Sequence, residues 1–165
     1  MLNNVSKKKF LTIGSYILLS FVAFLFPLSQ ASSDVLVSGL SDISFASFTG
    51  YGDISSNTTL CICSDTNSYN VTVYGSGTAG SFSLQSGSHA LNYTVYWHDT
   101  ASSSGKVALT ANTAKYGMYT SFTCEHYNCN GGKNAYLELD FSESDLMAAA
   151  HGSYTGSITI IVEPN

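Results

Sequence analysis

The sequence predicts an all-β domain, a sandwich or barrel of about eight to ten short strands. Three observations predict it. Apolar and polar residues alternate with period two along most of the chain. Gly-, Ser- and Asn-rich turns separate the runs. The composition is 44% hydrophobic and 13% aromatic with only 10% charged residues, enough apolar volume to fill a core and unlike a disordered tail.

The first 31 of the 165 residues read as a secretory signal. Lys7-Lys8-Lys9 form a positive n-region, Phe10 to Leu28 are uncharged and mostly apolar, and Pro27 followed by Ser29-Gln30-Ala31 offers a cleavage site. An uncleaved anchor is the alternative, because 19 residues can just span a bilayer. Cleavage after Ala31 leaves residues 32–165 as one domain. It has three cations, Lys106, Lys115 and Lys133, against eleven acids, a formal charge of −8 with no Arg. Such a surface cannot neutralise phosphates, which argues against nucleic acid and against anionic membrane surfaces. Export makes disulfides the first reading of the cysteines.

Along the domain, Val35–Val37 and Ile43–Phe48 are short strand candidates, followed by Leu60–Cys63. Tyr69, Val71 and Val73 alternate with Asn70, Thr72 and Tyr74. Gly75-Ser76-Gly77 and Gly80 then break the chain before Ser81–Leu84. Leu91, Tyr93, Val95 and Trp97 make one long run, ending at His98-Asp99. Val107–Leu109 and Tyr119–Thr123 are short candidates, and Ala135, Leu137, Leu139 and Phe141 form another alternating run. Ser142-Glu143-Ser144-Asp145 reads as a capping-box-like helix start, giving one short helix near 143–151 that Gly152 can stop. Ile158, Ile160 and Val162 close the chain as an inward-facing strand. Inward residues of all these runs are the expected core.

Cys61 and Cys63 lie at i and i+2 on one strand, so their sulfurs share a face but stand too far apart to bond. Each therefore reaches the later pair. Two pairings remain: 61–129 with 63–124, or 61–124 with 63–129. A four-cysteine zinc site with His126 as a substitute ligand is the sharper alternative, but C-x-C and C-x4-C match zinc knuckles poorly.

Candidates for catalysis are thin. His98-Asp99 could be a base with its orienting acid, yet reads more simply as a strand end. His89 and His151 sit beside Gly-containing turns, and Glu138 and Asp140 share one outward strand face. No nucleophile elbow, zinc-protease helix, phosphate loop or dinucleotide fingerprint occurs. No catalytic, cofactor or metal residue is assigned, and the chain is not expected to be an enzyme. Asn57-Thr58-Thr59, Asn70-Val71-Thr72 and Asn92-Tyr93-Thr94 match the glycosylation sequon, which has meaning only in a eukaryotic secretory pathway. Of eleven tyrosines, Tyr74, Tyr96 and Tyr136 fall on outward faces and are candidate surface contacts, able to stack on sugars or meet a protein.

Several segments together resemble the spore coat protein U domain family. They are Leu60-Cys61-Ile62-Cys63-Ser64, Tyr69-Asn70-Val71-Thr72-Val73, Gly75-Ser76-Gly77, Gly80-Ser81-Phe82-Ser83-Leu84, Leu91-Asn92-Tyr93-Thr94-Val95 and Gly152 to Ile160. The resemblance spans roughly Gly39 to Pro164. It implies an immunoglobulin-like Greek-key sandwich lacking one strand, and pairing of Cys61 with Cys129 and of Cys63 with Cys124. It implies a pilin-like subunit of the chaperone–usher type: a periplasmic chaperone, an usher and sibling subunits as partners, and a surface fibre for adhesion or biofilm as product. The only alternating run before the domain is Asp34-Val35-Leu36-Val37-Ser38, so Val35 and Val37 are the candidate donor residues, unless this is the domain's own first strand. The other expectation is a monomeric secreted sandwich that binds carbohydrate or a surface partner through its tyrosines.

Overall fold

The structure, a computed structural model, describes residues 33–99, 105–125 and 129–165. The signal segment 1–31 and His126 lie outside the described residues. The fold is all-β and sandwich-like. In chain order the elements are β1 (Val35–Ser38), β2 (Ile54–Ser64), β3 (Ser68–Gly75), β4 (Ser83–Ser86), β5 (His89–Asn92), β6 (Thr94–His98), β7 (Val107–Leu109), β8 (Lys115–Tyr119), β9 (Ala135–Phe141), α1 (Glu143–Ala148) and β10 (Ile158–Pro164). One sheet has the order β1-β2-β9-β6-β7, a second has β10-β3-β8, and β4-β5 form a separate hairpin. All pairings are antiparallel.

The alternation decides which face is buried. From the five-stranded sheet, Leu60, Ile62, Val95, Trp97, Leu137 and Leu139 point inward, and from the other, Tyr69, Val71, Val73 and Met118 meet them. The indole Nε1 of Trp97 donates to the Tyr69 hydroxyl at 3.0 Å, so one hydrogen bond joins the sheets inside the core. A buried indole N–H needs such a partner, and each large apolar side chain removed from water contributes about 1.5–3 kcal/mol.

Several expected boundaries are corrected. The run from Leu91 to His98 is two strands, because Tyr93 N–H bonds to Phe82 O and the chain passes from the β4-β5 hairpin into the main sheet there. The strand near 119 is Lys115–Tyr119, and residues 120–124 leave it to bond the end of β2 instead: Ser64 N–H donates to Phe122 O at 2.9 Å. The helix ends at Ala148, before the expected 151. Its start is as expected, with Ser142 Oγ accepting from Asp145 N–H at 3.1 Å. Residues 43–48 form no strand. Ile158, Ile160 and Val162 are only half-buried, on a strand whose outer edge has no strand partner among the described residues.

All four cysteines are in disulfides, Cys61–Cys129 and Cys63–Cys124. No thiolate is therefore left for zinc. The bridges fit an oxidising, exported environment. Among the described residues no helix is long and apolar enough to cross a membrane.

Candidate functional site

The last strand carries the most unusual feature. Along its whole length β10 pairs with β3, from Ile158 opposite Gly75 to Pro164 opposite Tyr69. Its other edge has no strand partner among the described residues. The edge is a β-branched run, Ile158-Thr159-Ile160-Ile161-Val162, with no Lys and no bulge to blunt it. Such an edge is a template for another strand.

Facing it is the segment that follows β1. Residues 40–45 continue alongside β2, but side chains replace the backbone ladder: Ser41 Oγ meets Thr58 Oγ1 at 2.8 Å, and Ser56 Oγ donates to Ser44 O at 3.0 Å. Its corner is pinned by Lys133, whose Nζ donates to Gly39 O at 2.9 Å and Thr59 O at 3.3 Å. Ile43 and Phe45 reach the core, and Phe45 stands edge-on to Phe141 with centroids 4.8 Å apart.

Between these banks runs a groove with an apolar floor and a partly polar rim that includes Ser41, Thr58 and Ser157. Leu40 and Ile43 line one side, Ile158 and Ile160 the other, and Leu137 and Leu139 the floor. Leu84, Phe45 and Tyr154 line both this stretch and a second depression that ends at Leu146 and Met147. Asp42 is the one Asp, Glu or Lys along it. The groove can therefore select by shape and main-chain hydrogen bonding, not by charge. The segment 40–45, Leu84 and Tyr154 were not singled out from sequence as functional. The available signals were the Ile43/Phe45 alternation and the unblunted β-branched run at the end of the chain.

Val35 and Val37 are not free. They sit on β1 opposite Ser64 and Ile62 of the chain's own β2 and pack against the core. Of the two expectations for this segment, the structure places it as the domain's own first strand.

The three tyrosines do not share a surface. Tyr74 is on β3, opposite Thr159 of β10. Tyr96 and Tyr136 are on the five-stranded sheet, half-buried. Lys106 Nζ lies 4.5 Å from the Tyr96 ring centroid, and the Tyr136 ring is edge-on to His98 at 4.9 Å. Both rings therefore already have partners within the chain. His98 is buried, with Nε2 3.7 Å from a Glu138 oxygen, and Lys106 Nζ donates to the other Glu138 oxygen at 3.2 Å. That bond raises the Lys106 pKa. Asp140, on the same face, has its carboxyl raised by burial and by its neighbours Asp53 and Glu138. Glu138 is thus mostly buried between His98 and Lys106 instead of lying on a freely solvated face. Among the described residues no three His, Cys, Asp or Glu side chains group to hold a metal ion. His89 and His151 are exposed.

The chain matches no protein-family model and no curated protein sequence.

Proposed function

We propose that this chain is an exported structural subunit of a surface fibre, pilin-like, whose groove is completed by an extended strand from another chain. The observation that carries the reading is the edge of β10 without a second strand partner among the described residues, beside a groove floored by Leu137 and Leu139. An incoming strand would take the free N–H and C=O groups of β10 and set alternate apolar side chains between Ile160 and Leu40. The resemblance to the spore coat U family supports the same reading. It names the providers of that strand as a periplasmic chaperone first and then, at an usher, a sibling subunit. The chain acts through its fold, with no catalytic residue, cofactor or nucleic acid. Its route runs through the periplasm to the cell surface, where the fibre serves adhesion or biofilm.

The test is native mass spectrometry of protein taken from the exported fraction without reductant. A ladder of multimers, or a one-to-one complex with a larger chaperone, is expected. Ile158→Asp with Ile160→Asp should remove both while leaving the monomer folded, since neither side chain is fully buried. A wild-type protein that stays monomeric and carries no second chain would sink the reading.

A further inference from the structure

The two disulfides are not equivalent. We infer that Cys63–Cys124 is a redox latch that holds β1 on the domain, while Cys61–Cys129 is a permanent brace.

The latch has a visible mechanism. β1 is four residues long and lies at the edge of its sheet, held by its ladder to Cys61–Ser64. Short edge ladders belong to the least stable parts of a domain. At the N-terminal end of β1, the Asp65 carboxylate is one of the groups that hold the strand. Asp34 N–H donates to Asp65 Oδ2 at 3.3 Å, and Asp65 N–H donates back to Asp34 O at 3.1 Å. The other oxygen of Asp65 accepts from Cys124 N–H at 3.1 Å, and Cys124 Sγ lies 3.6 Å from the Asp34 carbonyl. The bridge to Cys63 sets where residue 124 sits. It therefore sets the carboxylate that clamps β1. Cys63 is itself the residue opposite Leu36 in the ladder.

The bridges also differ in access. Cys61 and Cys129 are 2% and 1% exposed; in the other bridge Cys63 is 0% exposed and Cys124 retains 8%, the most of the four. Exchange needs a thiolate to reach a sulfur, so the dithiol route opens at Cys124. One thiolate of a dithiol reductant attacks Cys124 Sγ. The Cys63–Cys124 bond breaks, and Cys63 leaves as a thiolate and takes a proton. The second thiolate of the reductant attacks the mixed disulfide, closes the reductant's own disulfide and releases Cys124, which is protonated in turn. Two electrons and two protons pass to the protein.

With the latch open, Cys124 N–H leaves Asp65 and β1 frays. Val35 and Val37 then come off Ser64 and Ile62. β1 lies against β10, and the groove lining ends at Leu40 beside it. Release of β1 therefore extends the open edge. The inference does not depend on the fibre reading.

The test titrates the oxidised protein with dithiothreitol under native conditions, with alkylation, peptide mapping and hydrogen exchange at each point. The expected intermediate has Cys63 and Cys124 alkylated and Cys61–Cys129 intact. In it the amides of 35–38 exchange at least tenfold faster, while β6 and β9 are unchanged. Opening of Cys61–Cys129 first or of both bridges together would overturn the inference, as would unchanged exchange at 35–38 in that intermediate. Cys63→Ala with Cys124→Ala should reproduce the state without reductant. If that variant does not fold, the intermediate from the native protein still decides.

Discussion

Asn134 shows how one side chain can extend a sheet. The β2–β9 ladder ends at Leu60 opposite Ala135. One residue earlier, Asn134 turns its amide to β2: Oδ1 accepts from Ile62 N–H at 2.8 Å, and Nδ2 donates to Ile62 O at 2.7 Å. Nδ2 also reaches Thr120 Oγ1. The amide thus imitates a backbone pair where the strand has already left. Asn134→Ala should cost about 2 kcal/mol in urea unfolding, because it strands the buried Ile62 N–H, while Ile62 O keeps the Thr120 hydroxyl at 2.7 Å. Tyr93 is the opposite case. Its hydroxyl is buried without a hydrogen-bond partner among the described residues, and burial pushes its pKa up to about 12. Tyr93→Phe should therefore be neutral or stabilising by up to about 1 kcal/mol. Tyr69 is raised further, by burial first. The sign follows: above about pH 10 the unfolded phenols release protons that the folded ones keep. Stability is then full below pH 10 and falls by about 1.4 kcal/mol per pH unit for each tyrosine as the pH approaches 12. Urea midpoints at pH 8, 10 and 11 check this, and Tyr93→Phe should flatten the fall.

Burial separates two isoleucine-like positions that alternation makes look alike, and the reason lies in their elements. Leu139 sits on β9, between β2 and β6, and is 3% exposed. Ile160 sits on β10 with one edge open. Leu139→Ala should cost roughly 2–5 kcal/mol and Ile160→Ala only about 1 kcal/mol in the isolated chain, measured by denaturant unfolding. Equal losses would mean that the groove is filled in the isolated protein. Gly75 lies at the end of β3, close to the chain after Gly80. A Cβ there would run into the backbone carbonyl of Ser81. The Gly75-Ser76-Gly77 signature thus serves close approach of β3 to the chain after Gly80 as well as turning. Gly75→Ala should lower the thermal midpoint by several degrees, corresponding to about 1–3 kcal/mol. The strand faces, the helix cap at Ser142 and the turn positions were legible because each is a local property of spacing. The 91–98 run misled because period two continues unbroken through Tyr93 while the chain changes sheets.

For the whole molecule, the two bridges close loops with sequence separations of 68 and 61. In the chain-entropy model each contributes about 4 kcal/mol, a large share of the 5–15 kcal/mol typical of a domain. Full reduction should therefore unfold the protein near body temperature, read by loss of the near-ultraviolet signal of Trp97. Sequence alone determined that the chain is all-β, which residues face inward on each strand, that residues 32–165 are acidic and free of Arg, and that Cys61 and Cys63 cannot bond each other. These follow from period, composition and the reach of an extended backbone. Only the tertiary structure decided that β1 pairs within its own chain, that β10 has no second strand partner among the described residues, and that residues 40–45 form the far bank of a groove. Alternation reports which face of a strand is buried. It does not report which strand lies beside it, because neighbours in a sheet are chosen by residues far apart in sequence, as β10 and β3 are here.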